Sequence, residues 1–518
     1  MLNPSTYEVT AVVSPRSVGG VSLFETLAPI TKENVAQFHS TPADVRATAN
    51  ELRKLGFAVL VEGDTTLSIG GTRKLFQEVF GAKLRKQKRD GQDGQALEFF
   101  SVENGETSQL LQAPGDLSNL IEGVALAEPP EYFEAALPPL FTPDPAAYRY
   151  LLVPDEVALL LRATRIHRSG TTGRGVVVAM IDTGHYRHPF FNEHGYRLLP
   201  TLLGPGASDP SSDLSGHGTG ESANIFAAAP DIQLRPIKDA GDPVGAFNVA
   251  VTSTPKPQVI SNSWGYNIDF PGATLNPYLR ALEAAIANAV AANIVVCFSA
   301  GNGHQAFPAS HPDVIAVGGV HVNYPGLDFE ASSYASSFVS NLYPGRAVPD
   351  VCGLTGKRVT IGGAGLAPSL LLPVQPGSAL DNIAPPTGAA ADGWGLFSGT
   401  SAACPQVAGV VALLLEKDPT LTPAKVKEIL SKSARDVTAG TTANGGIAGP
   451  GPDAATGAGL VDAKWAWIVT MGDVATHSFE MLLAAQAQPV ALLNGGNGKI
   501  VHFNSEMMSD LMATLRSR

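Results

Sequence analysis

Leu396-Phe397-Ser398-Gly399-Thr400-Ser401-Ala402-Ala403-Cys404-Pro405-Gln406-Val407-Ala408-Gly409 reads as a small-residue turn that runs straight into a helix. Gly399 lets the backbone bend at little steric cost. From Val407 the apolar residues recur as Val410, Val411, Leu414 and Leu415, the stripe of a helix buried against a core. Pro405 is expected in the first turn, where backbone N–H groups have no helical partner in any case. Ser401 then stands at a helix N-terminus, where free N–H groups and the helix dipole favour negative charge. A serine so placed can attack a carbonyl and have the resulting oxyanion stabilised. Taken alone, Gly-Thr-Ser is equally an ordinary N-cap, so the rest of the chain has to decide.

The totals set the frame. A chain of 518 residues has room for about three domains, fewer if one is a large α/β unit. With 44% hydrophobic and 16% charged residues it suits a well-packed globular protein, and 54 Gly with 39 Pro predict long ordered loops. A net charge of −12 argues against nonspecific nucleic-acid binding. Cys297, Cys352 and Cys404 are too few and too odd for a disulfide framework. No apolar run reaches the length of a membrane span. Met1 to Arg16 lacks a basic end followed by an apolar run, so no secretory signal is read there. The expectation is a cytoplasmic protein without a membrane partner, with non-classical export left open.

The front of the chain has its own organisation. Thr41 caps a predicted helix with Pro42 at its first position, running through Val45, Ala49 and Leu52 to Gly56. Phe57 to Val61 and Thr65 to Ile69 read as strands, and Thr72 to Gly81 as a second helix. The basic cluster Lys83, Arg85, Lys86, Lys88 and Arg89 reads as a solvated loop and then as a site for proteolytic nicking. The Pro-rich stretch from Pro129 to Pro145 reads as a linker. These elements make a compact α+β unit over residues 1–145, of ferredoxin-like type.

Beyond it the rhythm is α/β. Val176 to Ile181 is an unbroken apolar run, as expected of a strand buried on both faces of a parallel sheet, and it ends at Asp182-Thr183-Gly184. Val259 and Ile260 lead into Ser261-Asn262-Ser263-Trp264-Gly265, and Ile294 to Phe298 into Ser299-Ala300-Gly301-Asn302-Gly303. Asn276 with Pro277 opens a helix, and Thr422 with Pro423 another. In such sheets ligands sit beyond the carboxyl ends of the strands, where Asp182, Ser263 and Asn302 all fall. Residues 146–469 form this doubly wound, mostly parallel unit. Residues 470–518 are a C-terminal extension with apolar segments at Phe479 to Leu483 and Ile500 to Phe503 and no chemistry.

A serine hydroxyl needs a base, commonly a histidine held by a carboxylate. Ser215-Gly216-His217-Gly218-Thr219 offers the histidine and Asp182 the carboxylate. Asn302 offers a side-chain N–H for an oxyanion hole. Each of these alone is a common turn sequence. In the order Asp, His, Asn, Ser, each in its fitting strand or helix context, they point together to nucleophilic catalysis.

Val153 to Ala466 resembles the subtilisin-like serine proteases. The resemblance rests on Gly175 to Gly184 with His188-Pro189, Gly216 to Thr219, Ser261 to Gly265, Ser299 to Gly303 with Phe307-Pro308-Ala309, Pro349-Asp350-Val351, Ser398 to Gly409 and Gly457 to Ala463. It implies Asp182, His217 and Ser401 as the triad, and Asn302 with the Ser401 backbone N–H as the oxyanion hole. It implies Ser263, Trp264 and Gly265 together with Ser299, Ala300 and Gly301 as the segments flanking the substrate. Where the family usually has another histidine after His217-Gly218-Thr219, this chain has Gly220-Glu221, and a long insertion runs from Val351 to about Gly395. The implied function is a serine endopeptidase acting on protein or peptide substrates, with no cofactor required. A structural calcium rests on family resemblance only, and no calcium loop or other metal site is read.

Ser40-Thr41-Pro42-Ala43-Asp44-Val45 through Leu55-Gly56-Phe57 to Phe80-Gly81 resembles the activation domain of kumamolisin-type, or sedolisin, proteases. That implies a self-inhibited proprotein with its own prodomain in the groove, cut autocatalytically between Pro129 and Arg165. Sedolisins carry a glutamate in place of His217 and an aspartate in place of Asn302, so the subtilisin chemistry is preferred. Two other readings stand beside it. A metallohydrolase would use Asp182, His185, His188, His194 and His217. A binding protein on a protease scaffold would be held shut by an uncleaved front unit.

Overall fold

The parallel sheet expected around Val176 to Ile181 forms with Val177–Asp182 inside it. The computed structural model describes residues 7–90, 96–103, 109–132, 150–268, 273–323, 327–358, 366–367, 370–382 and 391–470. The linker beyond Tyr132 and the C-terminal segments Phe479 to Leu483 and Ile500 to Phe503 lie outside these residues. The strands run in the order Arg197–Leu198, Gln233–Lys238, Val177–Asp182, Val259–Asn262, Val295–Ser299, Ile315–Asn323 and Asp328–Ala331. Every pairing is parallel except the last. Val351–Leu354 adds in parallel to Ile315–Asn323.

Side chains alternate across this sheet, and each face has its own core. Val178, Met180, Val295 and Cys297 pack against the helices His217–Ala228 and Thr400–Lys417. Ala179, Ile181, Val296 and Phe298 pack on the opposite face against Pro243–Thr252 and Pro277–Ala291. The Ser401 helix is buried all round from Thr400 to Leu415, which places it at the centre of the molecule.

The helix differs from expectation at Pro405, which sits in its second turn rather than its first. A proline there cannot bond the carbonyl four residues back. That carbonyl belongs to Ser401, and the Ser263 hydroxyl donates to it instead, at 2.9 Å. The break in the helical ladder is thus closed from the neighbouring strand edge.

The front unit is a five-stranded sheet in the order Ala58–Glu62, Leu67–Gly71, Val9–Pro15, Ile121–Leu126 and Leu110–Leu111. With helices Pro42–Lys54 and Arg73–Phe80 its four long strands follow a βαββαβ path. Both helix starts are capped, Thr41 as read, accepting from Asp44 N, and Thr72 accepting from Leu75 N. The helices cover one face, where Ala11, Val13, Ile69 and Phe76 are buried. On the other face Val12 and Ala125 join the core of the second unit beside Phe247 and Leu279. The basic stretch is not a loop: Leu84–Asp90 pairs antiparallel with Ala96–Val102 as a hairpin. Alternate residues of a strand point to opposite sides, so Lys86 reaches Glu98 across the hairpin at 2.6 Å while Arg89 meets the chain near Glu128.

Asp239 and Asp242 are buried beside the junction of the two units. Asp242 caps the helix Pro243–Thr252 through Gly245 N and accepts from Tyr278 Oη at 3.0 Å. Burial, and next the Asp242 carboxylate, push Asp239 up to about 7. Its folded value lies above its unfolded one, so its stabilising contribution is present at acid pH and is lost as pH rises through about 7. Measured against Asp239→Asn, the thermal midpoint of the wild-type full chain should fall between about pH 4 and pH 7, the window between the unfolded and folded values of this one group. Thermal unfolding of both proteins across this range checks it.

Candidate active site

Asp182 is the last residue of its strand, and both it and His217 are almost wholly shielded from water. His217 is the first residue of its helix, and Gly216 before it has φ +88°. The His217 Nδ1 to Asp182 Oδ1 distance is 2.7 Å. The same oxygen accepts the Thr183 N–H at 2.8 Å. A Cβ on Gly218 would lie 2.2 Å from the Gly184 carbonyl oxygen, so only glycine allows the helix to start this close to the strand end.

One side chain that sequence reading passed over organises this corner. Asp213 is buried and accepts from Thr183 Oγ1 at 2.8 Å and Gly216 N at 3.0 Å through one oxygen. Through the other it accepts from Thr219 N at 2.8 Å and Thr219 Oγ1 at 2.7 Å. Thr183 Oγ1 in turn accepts the Gly218 N–H at 3.0 Å. Asp213 therefore ties the strand end bearing Asp182 to the helix start bearing His217. Its one signal in the sequence is an acidic residue in a polar loop four residues before His217.

Ser401 lies in the first turn of its helix, as read. Its hydroxyl donates to the Ser263 carbonyl at 3.1 Å, reciprocal to the bond from Ser263 Oγ to the Ser401 carbonyl. Asn302 stands against the same helix start. Its Oδ1 accepts from Thr400 N at 2.9 Å and lies 3.0 Å from Thr400 Oγ1. A backbone N–H can only donate, so the amide oxygen must face Thr400, and the Asn302 NH₂ is turned the other way. The Gly301 N–H donates to Thr400 Oγ1 at 3.1 Å. Four separate stretches, at Asp182, His217, Asn302 and Ser401, thus meet at the carboxyl edge of one sheet.

The flanking segments are placed as follows. Trp264–Asn267 is a short strand outside the main sheet, paired with Ala306–Phe307. The Trp264 indole is turned inwards, donates to the Ile181 carbonyl at 2.8 Å and meets Phe298 edge to face, so only its backbone is offered outward. Ser299 ends its strand, and Ala300 N is tied to the Val317 carbonyl. On the free side of Trp264–Asn267 lies Glu131–Tyr132, with Trp264 opposite Tyr132 and Gly265 opposite Glu131. Arg89 grips the lead-in to this strand, reaching Glu128 Oε1 at 2.8 Å, Glu131 Oε1 at 3.4 Å and the Pro129 carbonyl at 2.8 Å. Tyr266 Oη donates to the Glu128 carbonyl at 2.7 Å.

The histidines that a metal site would require are not gathered. His185 Nδ1 faces Ser222 Oγ at 3.0 Å, His188 Nδ1 accepts from Phe190 N, and His194 Nδ1 lies at the Phe190 carbonyl. Burial holds His185 down to about 3 and Arg187 adds to it. Among the described residues no three His, Cys, Asp or Glu side chains converge as metal ligands, and no helix is long and apolar enough to cross a membrane.

The fold is that of a subtilisin-like protein, and the chain belongs to the subtilase family, whose model matches residues 173–459. It is 28% identical to subtilisin E of Bacillus subtilis over 292 residues, covering 53% of this chain and 64% of that protein. It is 27% identical to serine protease AprX of the same species over 307 residues, covering 52% and 63%. The chain thus spans a little under two thirds of the length of these relatives. Its fold is similar to that of fervidolysin from Fervidobacterium pennivorans, a keratinolytic enzyme related to subtilisin, with a TM-score of 0.53 at 19% identity over 90% of this chain and 62% of that one.

Replacing Asp213 by alanine leaves several buried donors without an acceptor. We expect Asp213→Ala to cost about 3 kcal/mol or more of stability, read from the urea midpoint of the full chain.

Proposed function

We propose that this chain is the precursor of a serine endopeptidase, with Ser401 as nucleophile, His217 as general base and Asp182 as its orienting carboxylate. The observation that carries the reading is the buried 2.7 Å contact between His217 and Asp182 at the sheet edge that also receives the N-terminus of the Ser401 helix. The contact occupies Nδ1, which leaves Nε2 as the nitrogen that takes a proton.

The steps follow from these positions. The Ser401 hydroxyl turns from the Ser263 carbonyl to the imidazole, and its oxygen attacks the peptide carbonyl carbon while Nε2 takes its proton. The oxyanion receives the Asn302 NH₂ and the Ser401 N–H, where the helix dipole favours negative charge. Nε2 then passes its proton to the departing amine, leaving an acyl group on Ser401. Water attacks that ester, again losing a proton to Nε2, and the acid leaves as Ser401 regains its hydrogen. No step needs a cofactor, and protein or peptide is the substrate. Calcium enters only by analogy with the family.

The front unit, residues 1–145, is read as an inhibitory prodomain of the kumamolisin-type activation class, 146–469 as the peptidase and 470–518 as an extension. Support comes from the strand Glu131–Tyr132, which lies along Trp264-Gly265, where the family resemblance puts a substrate backbone. A peptide added as a strand to an exposed edge is held by its backbone, so the prodomain would occupy the groove as a product does. Ser263, next after the register partners, is also the residue that bonds Ser401. Processing is therefore assigned just beyond Tyr132, within the wider Pro129 to Arg165 interval.

Intact mass over time for wild type beside Ser401→Ala tests this. Wild type should split and yield a new N-terminus shortly after Tyr132, while the mutant stays whole. Equal splitting in both would remove Ser401 as the agent, and a stable, inactive wild type would favour a scaffold used for binding. Asn302→Ala should lower kcat by ~10²–10³ with little change in KM, the magnitude being that for loss of one such donor in a subtilisin.

A further inference from the structure

The helix that begins at His217 carries a second acidic group one turn on. Glu221 has no exposure to solvent, and its Oε1 is 3.9 Å from His217 Nε2, the nitrogen not held by Asp182. Its other oxygen accepts from Asn224 Nδ2 at 2.9 Å. Asn224 Oδ1 faces Gln406 Nε2 at 3.4 Å, and Gln406 is clamped at both ends by the backbone of Leu354, at 2.8 Å and 3.0 Å. Gln406 stands on the same helix as Ser401. The Glu221 carboxyl is therefore fixed by a ladder that reaches the nucleophile's own helix. The imidazole has a carboxyl group on each of its nitrogen sides.

We propose that Glu221 is a positioning residue for His217, a second buried carboxylate that steadies the ring and its positive charge from the side on which the Ser401 proton arrives. This inference rests on the peptidase reading and adds to it a group that the Asp182, His217 and Ser401 set does not contain. A carboxyl there only for packing would not need its Oε1 turned toward His217 Nε2. An ionised one within about 4–6 Å favours the imidazolium form.

The titratable groups around the pair come from each element packed on this helix. Asp182 comes from the strand Val177–Asp182, on the far side of the ring, and Asp213, in the loop before the helix, lies against Gly216 N and Thr219 N. Cys404 comes from the Ser401 helix, its thiol pushed up to about 12 by burial, with Glu221 and Asp182 adding. The strand Leu370–Pro373 brings no titratable side chain. The short helix Asp155–Leu160 brings Asp155 and Glu156, and Glu156 accepts from Leu152 N. His185, on the chain after Asp182, faces the next residue, Ser222.

Glu221 as an anion favours imidazolium, and catalysis needs neutral imidazole, so the carboxylate holds the acid limb of the rate profile at higher pH. Glu221→Gln keeps the shape and can still accept from Asn224, but loses the charge. The acid limb of kcat/KM should move about one pH unit lower, and the plateau kcat should fall ~10-fold with KM unchanged. Glu221→Asp, which draws the charge back, should move the limb the same way by less. A purely structural role would lower active yield and leave the limb where it is.

A second readout needs no turnover. In full-length Ser401→Ala the His217 ring C–H resonance is titrated with and without Glu221→Gln, and the imidazole should titrate lower once the carboxylate is gone. If the ring titrates unchanged and the acid limb stays put, the inference is overturned. If the ring shifts as stated but wild type shows no Ser401-dependent cleavage, Glu221 does act on His217 and it is the peptidase reading that fails.

Discussion

One hydrogen bond, from the His217 imidazole to Asp182, sets the terms for the residues around it. Both partners are buried, and a carboxylate out of water has to be met by donors. Asp182 meets that need with one oxygen shared between the imidazole and the Thr183 N–H. This fixes where the helix must begin, which leaves Gly218 no room for a side chain and sends Gly216 to positive φ. Asp213 then closes the turn by collecting hydroxyl and backbone donors from both elements. The local geometry is over-determined, as a site that must hold a ring to a fraction of an ångström requires.

The Ser401 side of the site is built by a different device. A proline inside the helix would leave the Ser401 carbonyl without its helical donor, and Ser263 supplies one. The Ser401 hydroxyl returns a bond to the Ser263 carbonyl. Ser401 is thereby docked at the end of the strand Val259–Asn262 through its hydroxyl and its carbonyl. Asn302 is fixed from the same helix start through Thr400. The elements that orient Ser401 and those that orient Asn302 share one turn of backbone, so neither can move without the other.

Sequence reading reached the strand ends and helix starts because their signals are local. An apolar run that stops at Asp182, a Gly-flanked His217 and a capped helix start each leave a mark within a few residues. The same was true of Thr41 and Thr72 in the front unit. What stayed hidden depends on contacts distant in the chain. Pro405 looked like a first-turn residue because its compensating hydroxyl lies at Ser263, far back in the sequence. The basic stretch around Arg89 looked like a solvated loop because the carboxylates that Arg89 meets, Glu128 and Glu131, lie beyond the hairpin. The motif around Trp264 marks a segment but not the direction of its indole, which turns inwards to the Ile181 carbonyl and Phe298. Asp213 and the polar ladder from Glu221 to Gln406 left no periodic trace at all.

The short pairing of Glu131–Tyr132 with Trp264–Asn267 acquires a different meaning once the chain is considered before and after a cut. On the proposed prodomain reading, while both units are one molecule the strand Glu131–Tyr132 is present at an effective concentration of the order of millimolar, whatever the amount of protein in solution. Severing the link changes none of the contacts made by Arg89 or Tyr266. It changes only their bookkeeping, because the two pieces then part and rejoin as separate solutes. Occupancy of the groove would then become a function of dilution, so on that reading a concentrated sample of cut protein would stay silent and a dilute one would wake.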